Sequence, residues 1–108
     1  MAMSTEFEAI EPLRTTVDNF CGPLVIEFGV PWCGFCQAAL PLIVEALADV
    51  EDVKHIKVQD GKGRPLGRSF KIKLWPTLVF MNDGHEIKRI SRPENTSEII
   101  EALALIRS

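Results

Sequence analysis

The sequence predicts an α/β fold in which a central mixed β-sheet is flanked by helices on both faces. Glycine and proline punctuate a series of apolar segments whose lengths alternate between strand-like and helix-like. Leu24-Val25-Ile26-Glu27-Phe28 is apolar on both faces apart from Glu27, as expected of a central strand covered on each side. Asn82-Asp83-Gly84 lies between two further strand-like segments and is a strong hairpin signal.

In chain order, a short strand is expected around Phe7 to Ile10 and a helix from Pro12 to Asn19, where proline at a first helical position costs little because that amide has no intrahelical partner. The turn Cys21-Gly22-Pro23 leads into the central strand. From Cys33 to about Asp49 the residues Leu40, Ile43, Val44 and Leu47 recur at helical spacing, with Pro41 expected to kink the helix. Val53 to Val58 reads as a strand and Arg64 to Phe70 as a short helix. Thr77 to Met81 and Glu86 to Ile90 form the hairpin arms. Asn95 with Glu98 three residues later resembles a capping box, opening a last helix with Ile99, Leu103 and Ile106 on one face. The predicted order is β-α-β-α-β-α-β-β-α.

A chain of 108 residues with 46% hydrophobic content suits one domain over residues 1–108, with residues 1–6 as a disordered tail. Twelve basic and fifteen acidic residues give a net charge of -3 without a basic stripe, which argues against nucleic acid as a partner. The greasy stretch from Ala38 to Val50 is broken by Pro41, Glu45 and Asp49, so it is too short and too charged to span a bilayer. The first residues lack the pattern of a secretory signal, and three cysteines are too few for a secreted disulfide framework. A reducing, cytoplasmic setting is expected.

Cys33-Gly34-Phe35-Cys36 sits where the second helix begins. A thiol is a poor nucleophile at neutral pH, and the unpaired amides and positive dipole end of a helix N-terminus stabilise a thiolate there. Cys36, one turn on, is near enough to close a disulfide. Attack by Cys33 on a substrate disulfide would give a mixed disulfide that Cys36 resolves. A Cys-x-x-Cys pair is also half of a zinc site, for which the further ligands would come from Cys21, His55 and His85 with no second paired spacing. Trp32, Phe35 and Trp75 read as an apolar face around the dithiol for extended protein segments. A carboxyl within an apolar strand has its charged form disfavoured by desolvation, which would suit Glu27 to proton exchange; the bland alternative is a strand-end glutamate facing solvent.

Trp32-Cys33-Gly34-Phe35-Cys36 is similar to the Trp-Cys-Gly-Pro-Cys signature of thioredoxins, and Trp75-Pro76-Thr77, forty residues after the second cysteine, resembles their cis-proline loop. Glu27, Pro41, Lys57, Phe70 and Gly84 extend the likeness from about residue 20 onwards. The resemblance implies a thioredoxin fold with Pro76 cis beside the thiols and the Trp75 backbone open to an extended substrate. It implies Glu27 as the proton shuttle to Cys36, Lys57 as its ionic partner, and a substrate face of Trp32, Gly34, Phe35, Trp75 and Thr77. It further implies protein disulfides as substrates, no bound cofactor, a flavin-dependent thioredoxin reductase as electron donor, and a monomer.

Three positions depart from that pattern. Phe35 replaces the proline between the cysteines, which leaves the direction of electron flow open to an oxidant or isomerase role. Trp75 replaces a smaller residue, and Ser91-Arg92 lacks the glycine of the loop that lines the partner surface. Cys-Gly-Phe-Cys also resembles glutaredoxins, but those place the motif nearer the N-terminus and carry Thr-Val-Pro at the loop. A binding module using the aromatic face without redox chemistry is the rival class, against which the intact dithiol stands.

Overall fold

The computed structural model describes residues 4–107. Its elements are α1 (Arg14–Asp18), β1 (Pro23–Gly29), α2 (Gly34–Leu47), β2 (Lys54–Gln59), α3 (Pro65–Ser69), β3 (Thr77–Asn82), β4 (His85–Ser91) and α4 (Thr96–Ile106). The sheet order is β2-β1-β3-β4, with β1 parallel to β2 and both β1/β3 and β3/β4 antiparallel. β1 therefore occupies an interior position, and every residue from Leu24 to Gly29 is buried.

Alternation along β1 sends its side chains to two separate cores. Leu24, Ile26 and Phe28 join Val17, Leu66, Phe70 and Met81 on the side of α1 and α3, where the rings of Phe28 and Phe70 are 5.6 Å apart. Val25 joins Ala39, Ile43, Leu47, Phe80, Ile99 and Leu103 on the side of α2 and α4. α2 runs without interruption through Pro41. Asp83 and Gly84, at φ of 48° and 81°, make the two-residue turn between β3 and β4. A Cβ on Gly84 would overlap the Asp18 carbonyl oxygen, so close packing also demands glycine there. Asn95 caps α4 by accepting the Glu98 N–H at 3.0 Å, while Glu98 accepts the Asn95 N–H in return.

Two expectations at the N-terminal end need correction. The strand around Phe7 to Ile10 is a single parallel bridge between Phe7 and Lys57, supported by the Glu8 N–H donating to the Lys57 carbonyl at 2.8 Å. Ile10 is 87% exposed, so no apolar contact holds the segment further along the edge of β2. The first helix begins at Arg14 with Leu13 as its N-cap, two residues after Pro12, because Val17 is its only buried anchor. Of the tail expected over residues 1–6, residues 1–3 lie outside the described residues, while the Ser4 N–H donates to His55 Nδ1 at 2.8 Å. No helix among the described residues is long and apolar enough to cross a membrane.

Candidate active site

Cys33 is the N-cap of α2, and its sulfur accepts the Cys36 N–H at 3.3 Å. β1 ends one turn before it, so the loop Val30 to Trp32 delivers Cys33 to the end of the sheet with the helix amides aimed at its sulfur. Cys33 and Cys36 are both free thiols, each partly buried. Burial pushes the Cys33 thiol up. That is outweighed by hydrogen bonds from the Cys36 side chain and backbone, by the Phe35 backbone and by the Arg92 charge, and the thiol lies below its ordinary value. Cys36 moves the other way, pushed up to about 12 by burial, by its hydrogen bond to Cys33, and by the neighbouring charges of Cys33 and Glu27. One sulfur is readied as a thiolate and the other kept as the thiol that donates to it.

The seat of Cys36 depends on Gly29, where an added Cβ would stand 2.7 Å from the Cys36 sulfur. A glycine closing an apolar strand signals such close approach, but the sequence by itself does not say which group approaches. The Trp75–Pro76 peptide bond is cis, and the Trp75 carbonyl lies 3.9 Å from Cys33 Sγ. Pro76 and Thr77 are buried, and the Thr77 hydroxyl bonds the Leu74 carbonyl at 2.7 Å and Ser91 Oγ at 2.9 Å. Thr77 thus braces the loop from beneath. Trp32 and Phe35 are exposed at 72% and 56%, and Gly34, also exposed, has open space where a Cβ would be. Trp75 is half-buried, its indole N–H donating to Asp60 Oδ2 at 2.8 Å.

Of the Trp75 backbone expected above to be open, the carbonyl is engaged: it accepts Arg92 Nε–H at 3.0 Å. The same guanidinium lies 3.8 Å above the Phe35 ring. Arg92 has a φ of 52°, a left-handed conformation that a glycine adopts freely, and its N–H donates to the Pro76 carbonyl at 2.9 Å. Arginine therefore keeps the backbone shape a glycine would give and adds a positive charge beside the nucleophile. A groove lined by Phe35, Ala38, Leu42, Arg92 and Pro93 runs alongside.

Glu27 is buried on the α2 side of β1, with Oε1 3.0 Å from His55 Nε2 and Oε2 3.8 Å from Lys57 Nζ. The solvent-facing alternative is thereby corrected, since β2 and β3 on either side and α2 above leave Glu27 only 3% exposed. Lys57 is nearly buried, with its ammonium 4.7 Å from the centre of the Phe7 ring. Of the zinc candidates, His55 is bonded to Glu27, and Cys21 is exposed in the turn before β1. No cluster of three metal-binding side chains occurs among the described residues. His55, Gly29, Asp60 and Arg92 were not predicted as parts of this site.

A sequence model of the thioredoxin family matches residues 6–105. Thioredoxin 2 from Pseudomonas aeruginosa PAO1 in its reduced form is 49% identical, with 96% of each chain covered and a TM-score of 0.84. Thioredoxin Asp f 28 of Aspergillus fumigatus is 31% identical over 85 residues, 79% of each chain. The thioredoxin of Mycolicibacterium smegmatis is 27% identical over 97 residues, 87% of each.

Proposed function

Since the chain belongs to the thioredoxin family and is a thiol-disulfide oxidoreductase that reduces protein disulfides, we propose that Cys33 is its nucleophile, Cys36 its resolving thiol and Glu27 the group that takes the proton from Cys36. The observation that carries this assignment is the place of Cys33 as N-cap of α2, its sulfur accepting the Cys36 N–H while Cys36 sits one turn inside the helix, and the two thiols are displaced in opposite directions accordingly. Attack by the Cys33 thiolate on a substrate disulfide forms a Cys33–substrate bond and expels the first substrate thiolate. Cys36 then gives its proton to Glu27, attacks Cys33 Sγ and displaces the second substrate thiolate. The Cys33–Cys36 disulfide that results holds the two-electron oxidation equivalent to the substrate's reduction.

Lys57 pairs with the Glu27 carboxylate, and Pro76 keeps competing groups from the thiols. Trp32, Gly34, Phe35 and Trp75 receive the substrate over a loop held in shape by Thr77. A flavin-dependent thioredoxin reductase supplies the electrons, and the chain acts as a cytoplasmic monomer without a bound cofactor.

Replacing Cys33 with serine is expected to abolish reduction of an insulin-type disulfide substrate, and Cys36→Ser to accumulate the mixed disulfide, seen by intact mass. Full turnover in either variant would overturn the assignment. Reduction by a flavin-dependent reductase with NADPH, followed as NADPH oxidation, tests the electron donor. A redox titration of the dithiol tests the direction of flow: a value near that of thioredoxins, about -270 mV, supports a reductant.

A further inference from the structure

We propose that His55 is a positioning residue for the dithiol chemistry: its neutral ring donates Nε2–H to Glu27 Oε1 and holds the carboxylate turned to accept the Cys36 proton. The proposal rests on the reading of Glu27 as that acceptor.

The side chain of His55 is fully buried on the α2 side of β2, which otherwise presents Ile56 and Val58 to the opposite core. Val25 pairs with His55 and Glu27 with Lys57 in the parallel register, so His55 and Lys57 flank the carboxylate on a single face. Both ring nitrogens are engaged. A backbone amide only donates, so the Ser4 N–H at 2.8 Å makes Nδ1 an acceptor and leaves the ring proton on Nε2, 3.0 Å from Glu27 Oε1. The tautomer is therefore set by the N-terminal segment, which reaches β2 through the Phe7–Lys57 bridge.

The groups facing Glu27 are His55 and Lys57 from β2 and Cys36 from α2, whose thiol the Glu27 charge helps hold up; β3 opposes it with Leu78, and the N-terminal segment backs its partners, with the Ser4 amide on His55 and the Phe7 ring beside Lys57. Among the described residues, His55 alone hydrogen-bonds Oε1. His55 holds that oxygen, and Lys57 lies 3.8 Å from Oε2, so each carboxylate oxygen has its own neighbour on β2.

The resolving step is followed by stopped flow as the second release of a coloured thiolate from an aryl disulfide, across a pH series. His55→Leu is expected to move the pH midpoint of that step upward and to slow it about tenfold at neutral pH, the effect of losing one hydrogen bond to a charged group. His55→Gln, whose amide can still donate, is expected to recover most of the rate. A purely structural role would lower the Tm of both variants and leave both midpoints at the wild-type position, which overturns the proposal. If Glu27→Gln itself leaves the midpoint unmoved, the acceptor reading falls and the proposal with it. Nitrogen-15 NMR of the histidine rings in the unmodified chain needs no variant to fold: the Nε2–H tautomer between pH 6 and 8 is expected, and the Nδ1–H tautomer or an imidazolium refutes the arrangement.

Discussion

The two faces of β1 are built from alternate residues of one strand, yet they do different work. Toward α1 and α3 the strand presents Leu24, Ile26 and Phe28 to an entirely apolar cluster. Toward α2 and α4 it presents Val25 and then Glu27, which sits with His55 and Lys57 at the end nearest the dithiol. The first face supplies burial without any group that titrates. The second accepts a buried carboxylate, and is stable with it because each carboxylate oxygen has a partner within 4 Å. Separating the two by a single residue step keeps the chemistry from weakening the core that holds the sheet.

The largest effect is expected on the apolar face. Phe28→Ala removes a fully buried ring and is expected to cost about 3–5 kcal/mol in denaturant unfolding, with the alkylation midpoint of Cys33 unchanged in the folded fraction. A shifted midpoint would show that the faces are coupled. Gly29→Ala, on the strand end that seats Cys36, is expected to cost about 1–3 kcal/mol through overpacking and to slow the resolving step while leaving the first attack intact. Asn95→Ala, far from the dithiol, should lose about 1 kcal/mol from the α4 cap and nothing from the redox rates.

The smallest change is electrostatic. The reactive species is the thiolate, so alkylation of Cys33 rises with pH through a midpoint that lies below that of ordinary thiols, while Cys36 stays unreactive until far higher pH. Arg92→Gly removes a positive charge that favours the thiolate, so the midpoint should move upward and the rate at a fixed pH beneath it should fall. The glycine accepts the backbone φ of 52° without strain, so the loop keeps its backbone shape while the charge is removed.

Parts of the molecule whose causes are local could be read along the chain. The alternation of β1, the helix start at Cys33, the Asp83-Gly84 turn and the Asn95 cap each depend on residues a few positions apart, and each was readable from them. The strand expected at Phe7 to Ile10 shows the limit of such reasoning, because its length depended on whether a distant edge offered an apolar surface. His55 was legible only as a possible metal ligand, since its bond to Glu27 follows from the parallel register of β1 and β2, which no local spacing encodes. Arg92 was legible only as a missing glycine, and its place over Phe35 and on the Trp75 carbonyl comes from the return of β4 beside the cis-proline loop. Tertiary structure alone decided these charges, because a charge acts through space, and the distances that set its effect join residues tens of positions apart in the chain.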